Sequence, residues 1–327
     1  MRQSVEDFLV EEVLGFEPLG QGEHQWLWLE KRGQNTPWVA EQLARYARCS
    51  GAQVGYSGLK DRHAVTRQWF SLPRALPESA VPLLREQGIE ILRTLAHDKK
   101  LKRGTHKKNR FQLCVRDLLA DHAQLEVRLQ RLAIDGVPNY FGEQRFGING
   151  QNLDRCLQLP NLRKVSKIKK GLYLSAGRAF LFNRVLSQRI TQGTWNQAMQ
   201  GDLFNLDGTN SYFKPDEIDE QLTTRLKQQD IHPTGPLWGK GEPQTTGPVL
   251  QREQDEARAQ ADLVTILEQE GLQQQRRALR VRVEDLDWNI GHKELKLSFT
   301  LRAGSFATAV LRELLDYRDM ASAGSAG

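Results

Sequence analysis

One carboxylate held between two cations is the feature of this sequence best placed to do chemistry. In Gly58-Leu59-Lys60-Asp61-Arg62-His63-Ala64-Val65-Thr66, Asp61 stands between Lys60 and Arg62. Neighbouring positive charge favours the ionised form of a carboxylate, so Asp61 is equipped to act as base or nucleophile at neutral pH without a metal. The same residues also fit a polar surface turn in which Asp61 pairs with Lys60 or Arg62 for little energy. His63 is a second acid–base candidate, although a histidine with no identified orienting partner is more often structural.

Positive charge gathers in two places. Lys99, Lys100, Lys102, Arg103, Lys107, Lys108 and Arg110 give seven formal charges with no acid among them, and Arg163, Lys164, Lys167, Lys169 and Lys170 give five more. Either run alone is what a solvated loop looks like; two in one chain favour a phosphate-bearing partner such as RNA. The whole-chain balance, 46 Lys+Arg against 40 Asp+Glu, is moderate, so distribution carries the signal.

Missing motifs exclude other chemistries. The 327 residues contain no GxxxxGK[ST] loop, no strand-linked GxGxxG, no HExxH and no GxSxG. Nucleotide hydrolysis, hydride transfer, zinc proteolysis and serine hydrolysis therefore lack their parts, and a reaction without cofactor is favoured. Cys49, Cys114 and Cys156 are far apart with no CxxC pair, which predicts reduced thiols and no structural zinc. No apolar run approaches the ~20 residues a bilayer requires, and the acidic start lacks a secretory signal, so a cytoplasmic protein with no membrane partner is expected.

Elements must position these groups. Leu27 and Leu29 alternate with Trp26 and Trp28, predicting a strand over His24–Lys31. Thr36-Pro37 predicts a helix start, with Thr36 as N-cap and Val39, Leu43, Tyr46 and Ala47 on its inner stripe. Short strands are expected at 54–56 and 69–72, flanking an ordered polar loop from Ser57 to Gln68. Phe111, Leu113 and Val115 predict a strand issuing directly from the first basic run. Asp121 predicts the cap of a helix striped by Leu125, Leu129 and Leu132. Ser175 opens a further helix with Ala179, Phe182, Leu186 and Ile190 inward, and 252–271 reads as one polar helix. Strands are expected around Leu279–Val283 and Leu295–Leu301, and a last helix from Ser305, before a small-residue tail at 321–327 taken as flexible. Length favours two cores, or one core carrying an insertion, and the strand-rich ends suggest one sheet shared across an insertion at 149–277.

Gly58 to Gln68, with Lys60-Asp61 followed by Ala64, Thr66 and Gln68, resembles the catalytic loop of the TruD family of tRNA pseudouridine synthases. Further matching pieces run in family order: Glu6-Asp7-Phe8, Gly22-Glu23-His24, Asn35-Thr36, Asn139-Tyr140-Phe141-Gly142 with Gln144-Arg145-Phe146-Gly147, and Ala303-Gly304-Ser305-Phe306-Ala307-Thr308. The resemblance implies an α+β fold: a pseudouridine synthase catalytic domain with a predominantly antiparallel sheet, at 1–148 and 278–327, carrying an inserted α/β TRUD domain at 149–277.

It also implies the function, isomerisation of a tRNA uridine, position 13, to pseudouridine, with Asp61 as the essential carboxylate and no cofactor. Asn109 would orient Asp61 by hydrogen bonding and Phe111 would pack against the flipped base. Lys60, Arg2, Gln144 and Phe146 would shape the site, with Arg2 standing where the family has a basic residue thought to pair with the catalytic Asp. Lys99, Lys100, Lys102, Arg103, Lys107, Lys108, Arg110, Lys167, Lys169 and Lys170 would contact tRNA, in a groove between the two domains. Expected partners are tRNA alone, with no metal, and a monomeric chain. The sequence departs from the family in two places. His106 and Lys108 lie before Asn109 where small or apolar residues are usual, and only five residues precede Glu6-Asp7-Phe8, so a first strand is expected to be missing or replaced. The alternative is a catalytically silent RNA-binding or chaperone protein of the same fold. An RNA methyltransferase would need a donor site, and no glycine-rich strand-to-helix turn supplies one.

Overall fold

A computed structural model describes residues 3–317; Arg2 and the tail at 321–327 lie outside the described residues. In chain order the first elements are β1 (Phe8–Val13), β2 (His24–Arg32), α1 (Thr36–Tyr46), β3 (Gly55–Tyr56), β4 (Val65–Leu72), α2 (Ala80–Glu86), β5 (Ile89–His97), β6 (Lys108–Arg116) and α3 (His122–Asp135). Next come β7 (Val137–Pro138), α4 (Gln151–Leu157), α5 (Lys167–Thr191), β8 (Phe204–Leu206), β9 (Tyr212–Phe213), α6 (Glu220–Lys227) and β10 (Ile231–Leu237). The remainder are α7 (Gly247–Ala259), α8 (Ala261–Gln269), β11 (Gln275–Ala278), β12 (Arg280–Val281), β13 (Glu284–Ile290), β14 (Glu294–Arg302) and α9 (Ala307–Leu314).

The chain divides into two compact units. One holds the residues up to Arg128, Val283–Ala307 and those from Leu314; the other holds Leu129–Arg282 and Thr308–Glu313. The first is built on an eight-stranded sheet in the order β13-β14-β6-β1-β4-β2-β5, with β3 paired to β4. Every pairing is antiparallel except β1 with β4. Strands from near both ends of the chain thus share one sheet, and the architecture is α+β.

Register explains the core. Val10 pairs with Thr66 and Phe111, and Phe111 with Phe299, so these side chains stand on one face of the sheet. Towards β2 that face is filled by Leu27, Leu29, Phe70 and Leu72, packed against Val39 and Leu43 of α1 and Ala47 just after it. The opposite face is aromatic: Trp26 and Trp69 are buried with Leu14 and Leu101, against Trp28 and Leu95. Leu113, Val115, Leu295, Leu297 and Leu301 are buried as the period of two predicts.

In the second unit α5 is the central helix. Leu174 and Leu181 join Cys156 of α4 and Leu263 and Leu267 of α8 in one buried cluster. Phe182 and Leu186 pack with Leu279, Phe141 and Leu237 in another, beside the antiparallel sheet β11-β10-β8-β9.

Several expected boundaries moved. Thr36 is the first helical residue and Asn35 the N-cap, because the Thr36 hydroxyl is engaged elsewhere. The α5 helix starts eight residues before Ser175, with Ser166 accepting a hydrogen bond from the Lys169 amide. The single helix expected at 252–271 is two, because Gln260 leaves helical geometry at φ −125° and ψ 39°. β4 begins at Val65, so Gln68 lies in a strand rather than the loop. The cap expected at Asp121 is present, its Oδ1 accepting from the Ala123 and Gln124 amides.

Candidate functional site

Asp61 lies exposed on the loop between β3 and β4. This loop has no regular backbone pairing of its own, so its shape must come from side chains beneath it. Thr36 Oγ1 accepts the Lys60 backbone N–H at 3.0 Å and donates to Gln68 Oε1 at 3.0 Å. Gln68, its amide thereby oriented, donates Nε2 to the Gly58 carbonyl at 3.2 Å. The Lys31 amine donates to the Asp61 carbonyl at 2.9 Å and to the Gln34 carbonyl at 2.7 Å. Arg62 Nε reaches the Gly33 carbonyl at 3.4 Å, and the Gly104 amide closes on the Ser57 carbonyl at 2.8 Å. Asp61 is exposed, but its backbone is fixed from β2, α1, β4 and the basic segment.

Lys60 is turned inward. Its side chain is 5% exposed, and its amine meets Glu12 Oε2 at 3.1 Å, the Glu12 side chain being fully buried. Burial raises the Glu12 pKa above the ordinary carboxyl value, and the Lys60 charge pulls it back. His106 completes the cluster, with Nδ1 at 2.6 Å from Ser57 Oγ and 3.9 Å from Glu12 Oε2. Ser57 Oγ also accepts from the His106 backbone N–H at 2.7 Å, so one hydroxyl holds both the ring and the backbone of His106. Burial first, and the Lys60 charge second, push the His106 pKa down to about 4. The surface pairing of Asp61 with Lys60 that the sequence allowed is thereby disfavoured, since the Lys60 amine is committed to Glu12.

Asn109 is the register partner of Glu12, on the same face. It is buried, and its Oδ1 has no hydrogen-bond partner among the described residues; neither has Glu12 Oε1. The chain of neighbours Asp61, Lys60, Glu12, Asn109 thus brings three of the expected residues, Asp61, Lys60 and Asn109, to one end of the sheet. Phe111, two positions further on, is 6% exposed. Its ring meets Phe8 edge-on at 6.1 Å and lies nearly parallel to Phe299 at 5.4 Å. Arg2 lies outside the described residues.

The first basic run is anchored rather than loose. The Trp26 indole donates to the Lys99 carbonyl, Leu101 is buried, and the Lys107 amide bonds to the Val13 carbonyl. Lys99, Lys102, Arg103, Lys107 and Arg110 are exposed, with the Arg103 guanidinium 3.6 Å above the Tyr56 ring. Lys100 and Lys108 are half-buried; Lys100 donates to the Ala52 carbonyl and Lys108 pairs with Glu284. In the second unit Lys167 and Lys169 are exposed in the first turn of α5, while Lys170 pairs with Glu270. Cations at a helix N-terminus oppose its dipole, so their placement there is not explained by helix stability.

Gln144 and Phe146 lie in a short 3-10 turn of the second unit, exposed and half-buried respectively. The preceding residues brace that unit. Asn183 bonds both the amide and the carbonyl of Phe141, whose ring lies 4.0 Å from the Arg277 guanidinium. Asn139 links to Ala278 and Arg277.

The sequence reading missed Glu12, Lys31, Thr36, Ser57, Gln68 and His106 as supports of the loop. For the strand residues a signal was available. Phe8, Val10, Glu12 and Leu27, Leu29, Lys31 each put a charge where alternation calls for an apolar side chain, and Gln68 with Phe70 and Leu72 puts a neutral amide there.

Comparison with known proteins identifies the family. The profile of the family described as tRNA pseudouridine synthase D (TruD) matches residues 1–154 and 159–314. A tRNA pseudouridine synthase D of Methylococcus capsulatus is 46% identical over 323 residues, covering 97% of this chain and 91% of the relative. That of Hydrogenovibrio crunogenus is 42% identical over 318 residues, covering 95% and 91%. A TruD crystal structure from Methanosarcina mazei superposes with a TM-score of 0.75 at 20% identity, covering 97% of this chain and 93% of that one. With the family profile spanning nearly all of the sequence and relatives aligned over most of both chains, the chain belongs to the TruD family of tRNA pseudouridine synthases.

Proposed function

We propose that this chain converts uridine 13 of tRNA to pseudouridine, with Asp61 as the catalytic carboxylate. Family membership supports the coarser activity, isomerisation of a tRNA uridine. The observation that carries the assignment to Asp61 is its setting: an exposed carboxylate whose backbone is fixed by Lys31, with Gln68 and Thr36 holding the residues just before it. A reacting group benefits from such preorganisation, because the geometry is set before substrate arrives.

The reaction breaks the bond between C1′ and N1 of uracil, turns the base within the site and rejoins it through C5, so the product has the atoms of the substrate. A carboxylate can take part by attacking C1′, by adding to uracil C6 or by removing a proton from C2′, and each route needs Asp61 ionised. The uridine must leave its stack, at a cost of a few kcal/mol that contacts in the site offset. Asn109 supports this reading with a buried, unsatisfied acceptor beside Glu12 that a neighbouring donor can satisfy. Phe111 belongs to the apolar floor beside it. The exposed Lys102, Lys107 and Arg110 of the first unit are suited to tRNA phosphates, as are Lys167 and Lys169 of the second.

Incubating unmodified tRNA with the protein and mapping pseudouridine by chemical tagging and primer extension tests the proposal. Pseudouridine at position 13 supports it; a modified uridine elsewhere would correct the target, and tRNA binding with no turnover would favour a silent RNA-binding protein.

A further inference from the structure

Lys31 is a charged residue at an inward strand position with no exposure to solvent. Its register partners are Thr66 on β4 and Ile89 on β5, neither of them charged. The ammonium ends instead on two backbone carbonyls, those of Gln34 and Asp61, and so ties the turn after β2 to the Asp61 loop. Two charges act on it from that loop, Asp61 favouring its protonated form and Lys60 opposing it; burial, reinforced by Lys60, outweighs Asp61 and brings its pKa from 10.5 to about 8. Burying a charge without an ion partner is costly, and two carbonyls could be bridged by an uncharged donor. The positive charge therefore needs a reason beyond closing the loop, and the ionised group it acts on is Asp61.

Given the reading of Asp61 as the catalytic carboxylate, we propose that Lys31 is a positioning residue for it. Its ammonium fixes the Asp61 backbone through the carbonyl and keeps a positive charge behind the carboxylate during the reaction. The inference concerns Lys31 alone, so it can fail while the role of Asp61 stands.

The test is single-turnover pseudouridine formation on an unmodified tRNA transcript, followed across neutral and alkaline pH for the wild type, K31M, K31R and D61N, with tRNA affinity and melting temperature measured for each. The wild-type rate is expected to fall as pH rises through about 8, where the Lys31 amine loses its charge. K31M should be slower by roughly 10- to 100-fold with tRNA affinity unchanged, and should show no decline near that pH. K31R, charged throughout, should recover much of the rate and also lack the decline. A K31M rate scaled down equally at every pH with the decline retained would overturn the inference, as would an unaltered rate or K31R behaving like K31M. If K31M does not fold, the K31R profile decides, and a decline still centred near pH 8 counts against Lys31. Full activity in D61N would instead remove the reading on which the inference rests.

Discussion

At the scale of single residues, the cluster beneath the loop makes two predictions. His106 has its pKa lowered from 6.5 to about 4, so between those values the unfolded chain binds more protons than the folded one. Its contribution is therefore fully present above pH 6.5 and is lost as pH falls through 4, amounting to about 3 kcal/mol. Denaturant unfolding over that range should show the loss, and H106L should remove that part of the slope. An H106L variant that loses stability on acidification as steeply as the wild type would contradict the assignment. Lys60 and Glu12 form a buried ion pair, so K60M leaves Glu12 uncompensated and should cost about 3–5 kcal/mol, whereas K60M/E12M should recover much of it. Equal destabilisation by the single and double variants would show that the pair is not coupled.

At the scale of elements, the sequence exposed most strands and helices but hid their junctions. Alternation over 24–31, 111–115 and 295–301 named β2, β6 and β14, because one face of each is buried and period two is the direct consequence. Thr36 was misplaced by one position because its hydroxyl serves Lys60 and Gln68, residues distant in sequence. Ser166 was passed over for Ser175 since the first turns of α5 are polar and carry little periodicity. The Asp61 loop itself was legible as a polar segment with one carboxylate, and family resemblance supplied its role. Its supports were not legible as a set, because they come from β1, β2, α1, β4 and the segment before β6, which only the sheet order brings together. The basic segment before β6 belongs to the same scale. Anchored at both ends with Lys102 and Lys107 exposed, it should bind tRNA phosphates, so K102E/K107E should weaken tRNA affinity roughly tenfold or more and reduce the slope of log affinity against log salt by about 1–2. An unchanged slope would place the contacts elsewhere.

At the scale of the whole molecule, the sheet built by strands from near both ends of the chain is what braces so short a loop as that of Asp61. Its face carries apolar residues towards β5 and towards β13, with Lys31, Thr66, Gln68, Glu12 and Asn109 spread across β2, β4, β1 and β6 between them. Polar groups buried in this way are justified where they hold a reactive group in place. The group proposed to be so held is Asp61. The most direct measurement is pseudouridine formation in unmodified tRNA by the wild type and by Asp61→Asn, an isosteric change that keeps the loop's backbone contacts. Turnover is expected for the wild type and none detectable for the variant, with tRNA affinity and melting temperature preserved. Full turnover by Asp61→Asn would contradict the role proposed for Asp61.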